Sequence, residues 1–346
     1  MSLLSLEGRR EQSKIEKIGK EAVERGKVGV LTLAGGVGSR LGYDGPKGLF
    51  EIDDGRERLS LFERQARKIG KIFWIVMVSP KTRTKTVEHL QKKICRGEEA
   101  VYVIEQEEIA AEGMDGEALY DMEKSPIRMP NGNGGVFKAL SLGRYTEVRA
   151  KEARETEGSL YDVMERRGIE YLNVISVDNV LVKVADSWAV GWALESGCDV
   201  VSAAVKVEGG KKQGVFVKES EKSSEKGIRI CEYIDEPSGE VVRVEGVPLG
   251  NIANHVVKVE FLKSIDVGAC AYHKAVKKIP HEKDPAPQEP NGVKKELFIF
   301  DGFNLSRKQG VVEYGRDAYE GLKNKDGNSD SISSCTAELK REAREE

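Results

Sequence analysis

Residues 27–34, KVGVLTLA, form a short apolar, β-branched run that passes straight into GGVGSRLGYDGPKG, residues 35–48. This junction constrains the fold more than any other stretch. An apolar run without polar alternation predicts a strand buried on both faces, as in a parallel sheet. A loop leaving the carboxyl end of such a strand lies on the rim where doubly wound sheets bind ligands. Glycine carries an entropic cost, so six glycines in 14 residues are wasteful in a plain connector. They make sense where the backbone bends sharply and a ligand comes close. Arg40 and Lys47 add two cations to the loop. A nest of backbone N–H groups, a guanidinium fork and an ammonium together suit a phosphate. The pattern is neither of the two familiar phosphate loops. Gly36-x-Gly38 is followed by glycine only at 42, and Walker A is excluded by the order Pro46-Lys47-Gly48.

Further strands and helices alternate along the chain. Residues 59–69 have helical spacing, 72–79 and 100–105 read as strands, and 171–179 is a strand ending at Asp178. Residues 184–197 predict a helix with an Asp186 N-cap and a Gly197 stop, followed by a strand over 199–207. The expectation is an α/β, doubly wound, Rossmann-like fold with a mixed, mostly parallel sheet. Residues 1–26 are expected as a helical lead-in, exposed over 9–26, and 324–346 as a polar, mobile tail with a short terminal helix. Residues 27–323 would be the catalytic domain, with hairpins over the site at 210–250 and a Pro-rich surface loop at 282–292.

Composition narrows the class. The net charge of −3 gives no global attraction to nucleic acid or anionic membrane. The five cysteines are scattered, without CxxC, which argues for a reducing compartment and against a zinc site. The longest strongly apolar run, 72–78, is too short to cross a bilayer, and the first residues lack a signal-peptide core. The expected location is cytoplasmic, as a monomer or weak homo-oligomer.

Two loops carry a resemblance. LAGG-x-G-S-R-L-G followed by PKG resembles the signature of sugar nucleotidyltransferases, and so implies their GT-A-like fold. MPNGNGGVFKAL, 129–140, resembles the P-[DN]-G-N-G-G motif of the eukaryotic-type UDP-N-acetylhexosamine pyrophosphorylases, where UDP-glucose pyrophosphorylases usually carry a GHG-type motif. Further blocks follow in that family's order: VDNVLVKVADSW (177–188), CEYIDEP (231–237), GNIANHVVKVEFL (250–262), KKIPH (277–281), PNGVKKELFIFDGF (290–303) and YEGLKNKDG (319–327). Any one is weak alone; in order they cover roughly 27–327.

The resemblance implies a uridylyltransferase that converts UTP and N-acetylglucosamine 1-phosphate into UDP-N-acetylglucosamine and pyrophosphate. Arg40, Lys47 and Lys294 would be catalytic. Leu33, Ala34, Gly35, Gly36, Gln106, Gly132 and Asp178 would bind the nucleotide. Asn133, Gly214, Glu232, Tyr233, Asn251, Asn254, Phe298, Phe300 and Lys323 would bind the sugar phosphate. Asp178 would ligate Mg²⁺ or Mn²⁺; its bland reading is a strand-end cap. His255 is either structural or part of the sugar set, and Lys323 either a phosphate ligand or a surface lysine. Phe298 and Phe300 would share one face of a strand. Two departures stand out. The segment expected near QQGMLPA reads EQEEIAA at 105–111, and the terminal lobes look reduced. The rival readings are the same chemistry on N-acetylgalactosamine or glucose 1-phosphate, and a catalytically silent nucleotide-sugar sensor.

Overall fold

The computed structural model describes residues 3–4, 9–97, 99–207, 213–218, 228–232 and 239–345. The strand Val28–Leu33 lies at the middle of the main sheet, between Tyr171–Ser176 and Phe73–Val78, parallel to both. Val101–Glu105 continues the parallel centre beyond Phe73–Val78. Antiparallel Arg144–Val148 and Ala153–Glu157 close that side. On the other side Val247–Lys258 runs antiparallel between Tyr171–Ser176 and Val200–Lys206, which pairs in parallel with Gln309–Glu313. From Val28–Leu33 the chain first adds strands to one side and then returns to the other. This reversal opens the crevice at the carboxyl ends where such sheets bind ligands.

Helices cover both faces. Along the central strands alternate side chains enter two cores: Val30, Trp74 and Val76 one, Leu31, Ile75 and Met77 the other. Residues buried on both sides explain the unbroken apolar runs. Local signals hold at the helix ends. The Ser60 hydroxyl accepts from the Glu63 N–H and the Glu63 carboxylate accepts from the Ser60 N–H, a reciprocal cap that starts Leu61–Ile69. Asp186 caps Ser187–Ser196 through the Ala189 N–H, and Gly197 ends it in the left-handed region.

Both termini differ from expectation. The helix Arg9–Glu24 is not an exposed lead-in: its Ile15, Gly19 and Ala22 stripe is buried. It crosses Ser187–Ser196 where two glycines remove the side chains between them. A Cβ on Gly19 would lie 2.0 Å from the Ser187 carbonyl oxygen, and one on Gly191 would lie 1.9 Å from that of Ile15. The C-terminal helix, Ile332–Glu345, is longer than expected and docked, with Cys335 and Leu339 in the main core. The segment is therefore packed on the core through this helix rather than trailing from it. Its polar composition hid two apolar residues one helical turn apart.

The strands Val215–Lys218 and Ile228–Cys231 form the expected antiparallel hairpin. Not anticipated were Glu108–Ala110 paired with Arg128–Pro130, and a three-stranded sheet of Glu112–Gly113, Gly292–Glu296 and His273–Lys277. Among the described residues no helix is long and apolar enough to cross a membrane. Gly191→Ala is expected to destabilise the fold by about 1–3 kcal/mol through overpacking. A urea midpoint equal to wild type would mean that the helix crossing relaxes at no cost.

Candidate active site

The parallel register pairs Leu33 with Ser176, so the glycine loop and Asp178 leave neighbouring strands on the same edge. The loop is a compact knot. The Lys47 N–H donates to the Gly36 carbonyl at 3.0 Å and the Gly38 N–H to that of Gly45 at 2.9 Å. Its glycines do different jobs. Cβ atoms on Gly38 or Gly45 would strike the Tyr43 ring, and one on Gly48 would lie 2.1 Å from Phe62. Gly42 adopts φ +70° after the short turn Ser39–Leu41, a conformation that favours glycine. Gly36 alone among the loop glycines faces open space, with nothing within 4 Å of a Cβ placed there. The N–H groups of Gly35, Gly36 and Val37 make no hydrogen bond among the described residues. They form the donor surface expected of an anion or base site. Leu33 and Ala34 have buried side chains, so only their backbone can reach a ligand.

On one side of the loop the charged groups converge. The Lys47 ammonium lies 3.2 Å from Asp178 Oδ2, and the Ser176 hydroxyl donates to Oδ1. Burial by itself pushes the Asp178 carboxyl up. The Lys47 ammonium, the Ser176 hydroxyl and Lys323 outweigh that and hold it below the usual carboxylate range. The Asp178 side chain keeps 23% exposure, an opening toward the crevice. Lys323 lies over the Tyr319 ring, 5.6 Å from its centroid, and 3.7 Å from Asp330 Oδ2. Burial disfavours its charge, but Tyr319, Asp330 and Asp178 raise its pKa above the ordinary lysine value. Arg40 is exposed and makes no ion pair among the described residues; its carbonyl accepts from the Lys325 N–H at 3.0 Å. Two strand ends and the Lys323 turn thus join at one spot.

On the other side the expected base and sugar groups follow one another. Gln106 is buried with its amide nitrogen 2.2 Å from where a Gly35 Cβ would be, so only glycine fits beside it. The Asn131 N–H donates to the Glu107 carbonyl, linking this turn to the PNGNGG loop. Gly132, at φ +88°, lets that loop press on the Leu297 backbone. The Asn133 side-chain oxygen accepts from the Ile299 N–H at 2.9 Å, which orients the amide and leaves its NH₂ to donate elsewhere. Phe298 and Phe300 are not on a strand: the strand ends at Glu296 and the helix Ile299–Phe303 begins there. The Asp301 carboxylate caps it through the Phe298 N–H. The two rings nevertheless stack, with centroids 5.1 Å apart. Lys294 pairs with Glu296 at 2.7 Å.

The GNIANH segment resolves into distinct roles. A β-bulge opposite Ser202–Ala204 re-aims its side chains. Asn254 is occupied by the frame: its oxygen accepts from Asn173 at 2.7 Å and its nitrogen donates to the Lys183 carbonyl at 2.9 Å. Among the described residues these two bonds leave one N–H and one lone pair of the amide unspent. Asn251 is half-buried, its side-chain oxygen accepts from the Ala253 N–H at 2.9 Å, and its own N–H donates to the Gly214 carbonyl. Glu232 Oε1 lies 3.1 Å from a Cβ placed on Gly214, so Gly214, Glu232 and Asn251 are neighbours. Tyr233 lies outside the described residues. His255 is structural: it is buried, its Nδ1 shares a 2.8 Å hydrogen bond with Ser202, and its ring is edge-on to Phe303. Ser176, Asn173 and Asn179 were missed. Polar residues inside an apolar strand or beside its terminal acid were the available signal.

Burial lowers the His255 pKa to about 3, from 6.5. Below pH 6.5 the unfolded chain binds a proton there that the folded chain refuses until about pH 3. Stability therefore falls with pH through that window, by up to about 1.4 kcal/mol per unit from this group. The loss between pH 7 and 5 is expected to shrink in His255→Gln. Equal urea-midpoint losses in both proteins would remove His255 as the source.

Known proteins resemble this chain in sequence and fold. The family described as UTP–glucose-1-phosphate uridylyltransferase (UDPGP) matches residues 3–263. A probable UDP-N-acetylglucosamine pyrophosphorylase of Caenorhabditis elegans is 31% identical, over 93% of this chain and 69% of that protein. A protein of the same description from Encephalitozoon cuniculi is 32% identical, over 95% of this chain and 90% of its own. The crystal structure of the UDP-N-acetylglucosamine pyrophosphorylase of Trypanosoma brucei, in complex with an inhibitor, superposes with a TM-score of 0.80 at 27% identity, over 97% of this chain and 70% of that one. The chain belongs to the UDPGP family.

Proposed function

We propose that this protein transfers a uridylyl group from UTP to N-acetylglucosamine 1-phosphate, yielding UDP-N-acetylglucosamine and pyrophosphate. The observation that carries the reading is the meeting of Lys47, Asp178 and Lys323 beside a loop with unspent N–H donors. The names of the relatives point to the same chemistry.

The sugar phosphate oxygen attacks the α-phosphorus in line and pyrophosphate leaves, so no enzyme nucleophile is needed. The barrier is largely electrostatic, because a phosphate monoester of about −1.5 to −2 must approach a polyanion. Positioned cations are the remedy, as in phosphoryl transfer generally. Arg40 and Lys47 would hold the departing pyrophosphate. Lys323 would offset charge on the sugar phosphate. Lys294 would act on the α-phosphate once it exchanges Glu296 for the ligand. Gly35, Gly36, Gln106 and Gly132 would read uracil through backbone and amide edges. The Asn133 NH₂, the Asn251 side chain and Glu232 would read the sugar, with the Phe298–Phe300 stack as an apolar wall.

The donor set suits Mg²⁺. Among the described residues no group of three or more His, Cys, Asp or Glu gathers into a metal cage. Mg²⁺ needs none where one carboxylate, phosphate oxygens and water complete its shell. Asp178 would hold the ion, which would neutralise α-phosphate charge. A silent sensor is the weaker reading, because Arg40, Lys47, Asp178 and Lys323 are all retained around one crevice.

Pyrophosphate release with UTP and Mg²⁺ tests the reading. Release with N-acetylglucosamine 1-phosphate well above that with glucose 1-phosphate is expected; a preference for glucose would overturn the sugar assignment. Arg40→Ala is expected to lower turnover about 10²–10³-fold, the usual effect of removing a preorganised charge-stabilising donor. Turnover within twofold of wild type would take Arg40 out of the mechanism. Asp178→Asn is expected to shift the Mg²⁺ titration to higher concentration, and an unchanged curve would argue against ligation.

A further inference from the structure

Residues 318–335 form a device around Lys323. The backbone of 318–322 is laid along 178–180 like an added strand. The Leu322 N–H donates to the Asp178 carbonyl at 2.8 Å and the Val180 N–H to that of Glu320 at 3.0 Å. Buried Asn179 clamps the same contact, its nitrogen donating to the Ala318 carbonyl and its oxygen accepting from the Glu320 N–H. This seats the next residue, Lys323, beside Asp178.

The side chain is then boxed in. The Tyr319 ring lies under its ammonium, 5.6 Å from Nζ to the centroid. A point 3.0 Å from the Tyr319 hydroxyl and 3.2 Å from Lys323 Cε is where a Gly321 Cβ would sit, so glycine lets the two approach. The Lys323 N–H donates to the Asp330 carbonyl at 3.0 Å, and the Asp330 carboxylate lies 3.7 Å from Nζ. Asp330 has φ +51°, an unfavourable conformation for a residue with a Cβ. What holds it there is Glu320. One oxygen, Oε1, accepts both the Asp330 N–H at 2.9 Å and the Ser334 hydroxyl at 2.6 Å. Glu320 is 6% exposed and makes no ion pair among the described residues. A buried carboxylate needs such bonds, and those it receives come from the turn that carries Asp330 and from the C-terminal helix.

We propose that Tyr319, Glu320 and Asp330 are positioning residues for uridylyl transfer, forming a cradle that holds the Lys323 ammonium at Asp178 and is tied through Ser334 to the C-terminal helix. The role rests on the reading of Lys323 as the partner of the sugar phosphate. The cradle touches no reacting atom; it acts by fixing where one charge stands.

The test is a double-mutant cycle on the full chain. Glu320→Ala is expected to lower kcat/KM for N-acetylglucosamine 1-phosphate about 10–100-fold, the scale of a displaced catalytic group. Glu320→Gln keeps an oxygen where both donors point and is expected to stay within about threefold of wild type. In a Lys323→Ala background, Glu320→Ala is expected to add less than about twofold, because the cradle then has nothing to hold. Full additivity, or a Gln variant as impaired as Ala, would overturn the proposal. If Glu320→Ala does not fold, Tyr319→Phe and Asp330→Asn enter the same cycle. A second readout does not depend on turnover: labelling of Lys323 by an amine-directed reagent, followed by mass spectrometry. Faster labelling in Glu320→Ala but not in Glu320→Gln supports the cradle even if the sugar assignment is wrong, and unchanged labelling overturns it. Loss of pyrophosphate release in the wild-type protein would fail the transfer reading separately.

Discussion

The site depends on one register. Val28–Leu33 pairs in parallel with Tyr171–Ser176, and that pairing ends with Leu33 opposite Ser176. The glycine loop and Asp178 are what the two chains become immediately afterwards, so Lys47 can meet Asp178 at 3.2 Å. Slipping a strand by one residue would turn every side chain to the opposite face. Both faces of these strands are filled by separate cores, so the register is specified twice. The ion pair inherits that precision. Breaking it by removing one partner leaves a poorly solvated charge, which is the expensive way to alter such a pair.

From this point the crevice grows in two directions. One runs through Asp178 to residues 318–323 and brings in a third cation. The other runs from Gly35 to Gln106, from Glu107 to Asn131, and from Gly132 to Leu297. The first is charged and the second mostly amide, backbone and aromatic. The division matches a substrate that is highly anionic at one end and a planar base with a neutral sugar at the other. Within the family fold, reactivity is then a matter of where cations stand, since the chemistry asks for no protein nucleophile.

Much of this was legible because the signals were local. The strands over 72–79, 100–105 and 171–179, the Asp186 cap and the Gly197 stop follow from neighbours in sequence. The glycine loop, Lys47 and Asp178 were recognised by residue type and order. The sequence could not say which loop glycines serve a ligand. Gly38, Gly45 and Gly48 are required by Tyr43 and Phe62, while Gly36 faces open space. Asn254 and Asn251 sit in one hexapeptide with the same side chain, yet a bulge and the distant Asn173 give them different partners. Phe298 and Phe300 alternate like strand residues, but Asp301 and Asn133 start a helix beneath them.

The sequence by itself determined the class of fold, the edge of the sheet on which the site lies and the kind of ligand it suits. Burial pattern, glycine density and charge act within a few residues and survive being read in one dimension. Only the tertiary structure decided that the first helix is packed through Gly19 and Gly191, and that residues 318–335 wrap around Lys323. Those outcomes rest on contacts between segments far apart in the chain, such as Asp178 with Leu322 and Arg40 with Lys325. The free energy of such contacts depends on shape and hydrogen bonds that exist only after the chain has closed on itself.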